Sequence, residues 1–294
     1  MIILIVGLLR YDSGKTTWAL ELIEAFKNVG LKPYPYKPIG AHNAWYQYET
    51  LVNSIRLGRL VGEDAYRLAS AAGLVDQVEI LSPVDILSAP LDPEKFMATS
   101  MKRYVEELSF LETQAILART TVVDDTWRPR SVHYLITENL DRIISSLKDD
   151  VMMFLKKIKT FVEINRDEFL SLISSPKLYE SLAKIQNMLK RKTNLLIIES
   201  YNNAALPTPS AIESDYVFVV APGKVFMYKG SDYAKAINVY GSLSTPLSID
   251  VPSIMNLLKK PILVFNWRPL MLGKEYETSV SPSAEKAVEY LTRR

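Results

Sequence analysis

The first thirty residues constrain this chain most. Residues 2–6, Ile-Ile-Leu-Ile-Val, are a continuous apolar run rich in β-branched side chains, as in a strand buried on both faces. Gly7 follows, and Gly14-Lys15-Thr16-Thr17 opens an amphipathic stretch over residues 16–29. Leu20, Ile23 and Phe26, or Leu22 and Phe26, give it an apolar face, and Gly30 stands where a helix C-terminus favours glycine. Strand, turn and helix in this order suit a phosphate-binding loop. Glycine lets the backbone wrap closely, N–H groups at the helix start point into one cavity, lysine adds a point charge, and a hydroxyl ligates Mg²⁺. The expected nucleotide-binding set is Gly7, Asp12, Ser13, Gly14, Lys15, Thr16 and Thr17. Lys15 would contact the β- and γ-phosphates, Thr16 would hold Mg²⁺, and Thr17 would lie near the α-phosphate. Asp12 either holds Mg²⁺ through water or caps the helix. The usual spacing, G-x-x-x-x-G-K-[ST], would put the first glycine at position 9, which is Leu9; Gly7 stands two residues earlier. The alternative is a capped helix with an incidental lysine.

The rest of the chain extends the pattern. "LKPYPYKPIG" reads as a short second strand whose Pro33 and Pro35 suit a sheet edge. Residues 48–58 and 63–73 read as helices. "LLIIES", "DYVFVVAPG" and "PILVFN" read as three more strands, and residues 283–291 as a last helix. Strands alternating with helices imply an α/β fold with a parallel sheet. Residues 82–192 break this rhythm: they are mostly helical and charged, with one β-like run, "ILARTTVVDD". The expected division is an α/β core of residues 1–81 and 193–294 with a mainly helical insertion or lid at 82–192.

Composition narrows the chemistry. There is no cysteine, so disulfides, thiolate metal sites and cysteine nucleophiles are excluded. His42 and His133 are the two histidines, too few for an all-histidine zinc site. The net charge of +2 comes from 35 basic and 33 acidic side chains, which argues against a nucleic-acid partner. No apolar stretch reaches membrane-spanning length, and no basic segment precedes the first apolar run. A cytoplasmic protein without a membrane partner is expected.

Other residues invite roles. Glu199 ends "LLIIES", where ligands collect in open parallel sheets; it reads as a metal ligand, or as a cap of the next segment. His42 and Asn43, read as loop residues, either bind substrate or bond within the loop. Trp45, Tyr46 and Tyr48 either stack on a ring or belong to the core. Asp124, Asp125, Arg128, Arg130 and His133 gather in "DDTWRPRSVHY", as a lid that reaches a phosphate or as a surface turn. Asn266 either reads the nucleotide base or caps a loop. No guanine-reading N-K-x-D follows any of these strands, which favours ATP over GTP.

Three pieces together resemble the dethiobiotin synthetase group of P-loop enzymes, which includes the cobyrinic acid a,c-diamide synthases: "GLLRYDSGKTT", "YPYKPIG" and "LLIIESYNNAALPTP". "DYVFVVAPGKV" falls where that group has its next strand. The resemblance covers about the first 75 and the last 105 residues. It implies a P-loop NTPase-type, mostly parallel sheet flanked by helices, with ATP and Mg²⁺ as cofactors. It also implies a small carboxylated metabolite as substrate, and a homodimer. Lys15, Lys37 and Glu199 would be the catalytic set, with Lys37 beside the γ-phosphate and Glu199 on Mg²⁺. In that group ATP phosphorylates a carboxylate or carbamate, and a nitrogen then attacks the acyl phosphate. Departures are the "SYNNAA" that replaces glycines after the glutamate, Leu8 and Leu9 where the group carries an aspartate, and the long insertion. Two other functions compete. "DSGKTT" is also similar to the loop of polynucleotide 5′-hydroxyl kinases, and a non-catalytic nucleotide sensor would use residues 82–192 to dock a partner.

Overall fold

The computed structural model describes residues 1–124, 128–241, 248–268 and 280–293. Among them the chain is an α/β protein with two mixed sheets. Its strands are β1 (Ile2–Gly7), β2 (Tyr34–Tyr36), β3 (Ile39–Asn43), β4 (Val84–Ser88), β5 (Ala115–Val123), β6 (Pro129–Ile136), β7 (Val162–Ile164), β8 (Leu196–Glu199), β9 (Tyr216–Ala221), β10 (Lys224–Lys229) and β11 (Leu263–Asn266). Two compact units divide them. The first comprises residues 1–38, 67–77 and 182–294, the second residues 39–66 and 78–181.

The first unit holds the sheet β11-β10-β9-β1-β8-β2. β1 is buried along its whole length because parallel partners flank it, β8 on one side and β9 on the other. β2 pairs with β8 at the edge, the position its prolines favour. β10 runs antiparallel to both β9 and β11. It is the hairpin return of β9, and the expected strand set omitted it. The ends of β1, β2, β8, β9 and β11 therefore all open on one edge of the sheet. Helix α1 (Lys15–Asn28) packs beside the helix Pro282–Thr292 on one face. Trp18 is the hub there, with Phe218 at 5.6 Å and Phe265 and Trp267 at 5.7 Å between ring centroids.

Residues 82–192 are mainly helical as expected, but the second unit also carries a sheet that the expectation did not include. That sheet is β3-β4-β5-β6-β7, and the unit's core includes Leu51, Leu87, Leu117, Leu135, Val151 and Phe154. Residues 39–66, expected in the α/β core, belong to this unit. The sheet was hard to read for a physical reason. Its strands carry buried polar side chains (Asp85 on β4, Arg119 on β5, His133 on β6) that interrupt the apolar pattern, and β7 has three residues. No helix among the described residues is long and apolar enough to cross a membrane.

Candidate functional site

The loop between β1 and α1 accommodates its extra length as an outward bulge. Ser13 is buried; its hydroxyl donates to the Leu9 carbonyl at 2.8 Å and accepts the Leu9 N–H at 3.0 Å. Leu8 N–H donates to Val220 O at 2.8 Å and fixes the loop's start on β9. Arg10, Tyr11 and Asp12, lying between these clasps, are exposed. Gly7 leaves room for two side chains despite its unusual spacing. A Cβ there would lie 2.7 Å from Ser13 Oγ and 2.9 Å from Lys15 Nζ, so the lysine lies back across the end of β1. Gly14 is the helix N-cap, with φ +86° and no side-chain capping bond, so Asp12 does not cap the helix. Asp12 itself adopts φ +54° at the exposed bulge. Thr17 is half-buried on the first turn of α1.

A Cβ at Gly14 would meet Trp267 ring carbons at 2.7 and 2.8 Å, in a left-handed backbone conformation that other residues adopt at a cost. Gly14→Ala is expected to destabilise the chain by about 1–3 kcal/mol, read as a lower urea midpoint.

Parallel strand ends bring the other residues of this unit's site together. Glu199 Oε1 accepts the Thr16 hydroxyl at 2.8 Å and the Lys37 ammonium at 2.7 Å. Both ends of this Lys37–Glu199 pair are buried. Glu199 Oε2 is buried and has no hydrogen-bond partner. A carboxylate held on one oxygen, with the other orphaned beside a threonine hydroxyl, fits a divalent cation. Among the described residues no group of three or more Asp, Glu or His stands ready to hold a metal. Thr16 and Glu199 alone suit Mg²⁺, which takes few protein ligands and shares the rest with phosphate and water.

Asn266 ends β11 at the same edge. It is exposed, accepts a hydrogen bond from Lys224 Nζ, and its carbonyl accepts the Ser283 hydroxyl at 3.1 Å. The next residue was not anticipated. Trp267 is buried over Gly14, its Nε1–H lies 3.2 Å from both carboxylate oxygens of Glu21 on α1, and Ser281 Oγ donates to the same carboxylate. Burial raises the Glu21 carboxyl above its ordinary value, against the pull of the Ser281 and Trp267 hydrogen bonds. No spacing rule signals this trio, since its members stand at 21, 267 and 281 in the sequence.

The second unit holds His42 and Asn43, both in strand β3 rather than on a loop. His42 is buried. Its Nδ1 is 2.7 Å from Thr50 Oγ1, and its Nε2 is 3.2 Å from Asp85 Oδ1. Asn43 takes the loop-internal alternative: its Oδ1 accepts the Trp45 N–H at 2.9 Å. Trp45, Tyr46 and Tyr48 are exposed, so they are not core. Arg128 and Arg130 are exposed on the β5–β6 hairpin with Asp124, whereas Asp125 lies outside the described residues. His133 leaves that group and joins a buried cluster with Arg119, Asp85 and His42. Burial alone would raise the Asp85 carboxyl; His42, Arg119 and the Gly62 N–H outweigh it and hold it below its ordinary value.

His133 Nε2 accepts the Leu60 N–H at 3.2 Å. Burial, helped by the Arg119 charge, lowers its pKa from 6.5 to about 4. Between those values the unfolded chain binds a proton that the folded chain refuses, so stability rises with pH across this window. The chain is expected to be about 2–3 kcal/mol less stable at pH 4.5 than at pH 7 through this group alone. His133→Gln, which keeps an acceptor for Leu60, should flatten that part of the urea-midpoint profile.

Compared with known protein families, curated proteins and solved structures, the chain matches none.

Proposed function

We propose that the first unit binds Mg·ATP on the loop of residues 7–17 and hydrolyses it, in support of ATP-dependent synthetase chemistry on a small carboxylated metabolite. One observation carries the reading: Thr16, on the first turn of α1, and Lys37, just past the end of β2, donate to the same buried oxygen of Glu199, whose second oxygen has no partner. A structural ion pair would gain from satisfying both oxygens; a pair poised for a cation leaves one open.

In this reading Lys15 leaves Gly7 to meet the β- and γ-phosphates. Backbone N–H groups at the start of α1 supply further positive potential. Thr16 and Glu199 hold Mg²⁺, which neutralises phosphate charge. Lys37, released from Glu199, faces the charge that moves from the nucleotide to the acceptor carboxylate. Two lysines and a dry carboxylate act by positioning and electrostatics, which is most of what phosphoryl transfer asks of a protein. The acceptor's carboxylate oxygen bonds to the γ-phosphorus as the bond to ADP breaks, and a nitrogen nucleophile then displaces phosphate from the acyl phosphate.

The test is calorimetric titration of Mg·ATP and Mg·GTP into the parent and into Lys15→Ala. Binding of ATP by the parent, lost in the variant, supports the reading. No binding of either nucleotide removes it and leaves "GLLRYDSGKTTW" as a strand-to-helix turn.

A further inference from the structure

We infer that Trp267, oriented by Glu21 and Ser281, is a positioning residue that holds Gly14 in its left-handed conformation and so keeps the phosphate-binding loop preorganised. The inference rests on the nucleotide-binding reading of this loop.

The loop needs an external strut. It is two residues longer between its glycines than the usual pattern, and residues 10–12 stand in solvent. Its own clasps, Leu8 to Val220 and Leu9 to Ser13, fix only the start and the base of the bulge. Gly14 is where the bulge turns into α1, and a glycine at φ +86° loses more conformational entropy when ordered than any other residue. The indole closes that side. Its outer carbons occupy the space a Gly14 side chain would take, while its edge meets Trp18 at 5.7 Å and 78°. The backbone N–H of Trp18 donates to Gly14 O at 3.0 Å, closing the first turn of the helix beneath the indole pair.

The indole is itself fixed. Glu21 lies on α1 and receives Nε1–H on both oxygens, and Ser281, at the start of the helix Pro282–Thr292, donates to the same carboxylate. The Trp267 N–H donates to Gly223 O at 3.1 Å, in the β9–β10 turn. Trp267 thus ties the loop to β9–β10 and to the last described helix, and on this inference it acts on bound phosphate only through Gly14. Its neighbour Asn266 is exposed at the same edge, which puts a surface group and the loop strut on consecutive residues.

The test compares Trp267→Phe with Phe218→Leu. The first withdraws Nε1–H and the outer ring carbons over Gly14; the second truncates the same core at the Trp18 ring. Two readouts are taken: the Kd for Mg·ATP, and amide exchange over residues 13–17. Trp267→Phe is expected to weaken binding about tenfold and to speed exchange over that segment. Phe218→Leu should lower Tm at least as much while changing Kd less than threefold. Unchanged Kd and exchange in a folded Trp267→Phe, or an equal loss of affinity in Phe218→Leu, overturns the inference. If Trp267→Phe does not fold, Ser281→Ala is judged on the same two readouts. If the parent binds no nucleotide, the proposed function fails, and the exchange comparison still decides the strut.

Discussion

If the loop of residues 7–17 binds Mg·ATP as proposed, Lys15→Ala is expected to lower that affinity by about a hundredfold. A lysine that meets two phosphate groups makes charge-assisted hydrogen bonds worth about 1.5–3 kcal/mol each. Losing about 3 kcal/mol of binding free energy corresponds to a factor of roughly 150 in Kd. The fold should tolerate the change. Lys15 is half-buried at the loop surface and lies across Gly7, so its truncation opens no core cavity. The urea midpoint is expected to stay within about 0.5 kcal/mol of the parent. Calorimetry and unfolding on the same preparation separate the two effects. Equal affinity in parent and variant would mean that nucleotide, if bound, is held elsewhere.

Arg119→Ala destabilises the second unit by about 3–5 kcal/mol, the usual cost of removing one member of a buried charge cluster. Arg119 is fully buried on β5. It donates to Leu60 O at 2.8 Å, to Thr121 Oγ1 at 2.7 Å and to Ser82 O at 2.7 Å, and its Nη2 lies 3.9 Å from Asp85 Oδ2. Alanine leaves two buried carbonyls and a hydroxyl short of a donor, and leaves the Asp85 carboxylate with less compensating charge. Asp85 retains the Gly62 N–H at 2.7 Å, so the cluster is weakened rather than emptied. The check is urea unfolding of Arg119→Ala, Asp85→Ala and the double variant. The double variant should lose less than the two single losses combined, because the uncompensated carboxylate is then gone. Additive losses would show that Arg119 acts through its three neutral acceptors alone.

Legibility in the sequence followed the physics of each element. β1 and α1 were readable because a buried parallel strand is apolar throughout, and because a helix against a sheet shows one apolar stripe. The edge place of β2 was readable from its prolines. The meeting of Lys37 with Glu199 follows once both are put at parallel strand ends, since such ends share one side of a sheet. The second sheet was not readable, because Asp85, Arg119 and His133 are polar groups buried by satisfying one another, and pattern reading takes polar residues for exposed ones. His42 misled for the same reason: a histidine next to an asparagine looks like a loop pair until Thr50 and Asp85 are seen around it. Trp267 could not have been found by spacing, because its contact with Gly14 is set by the sheet order and not by any local motif.

The placement of β1 has a consequence for synthesis. Its two neighbours, β8 and β9, begin at residues 196 and 216, so this fully buried apolar strand leaves the ribosome long before anything it pairs with. At about 5–20 residues per second the interval to the end of β9 is about 10–40 s. Throughout it the nascent chain displays an unpaired apolar strand with both hydrogen-bonding edges open, the kind of segment that templates aggregation. Pairings so distant in sequence also slow folding after release. Chaperone supply during that interval is therefore expected to raise the yield of folded protein.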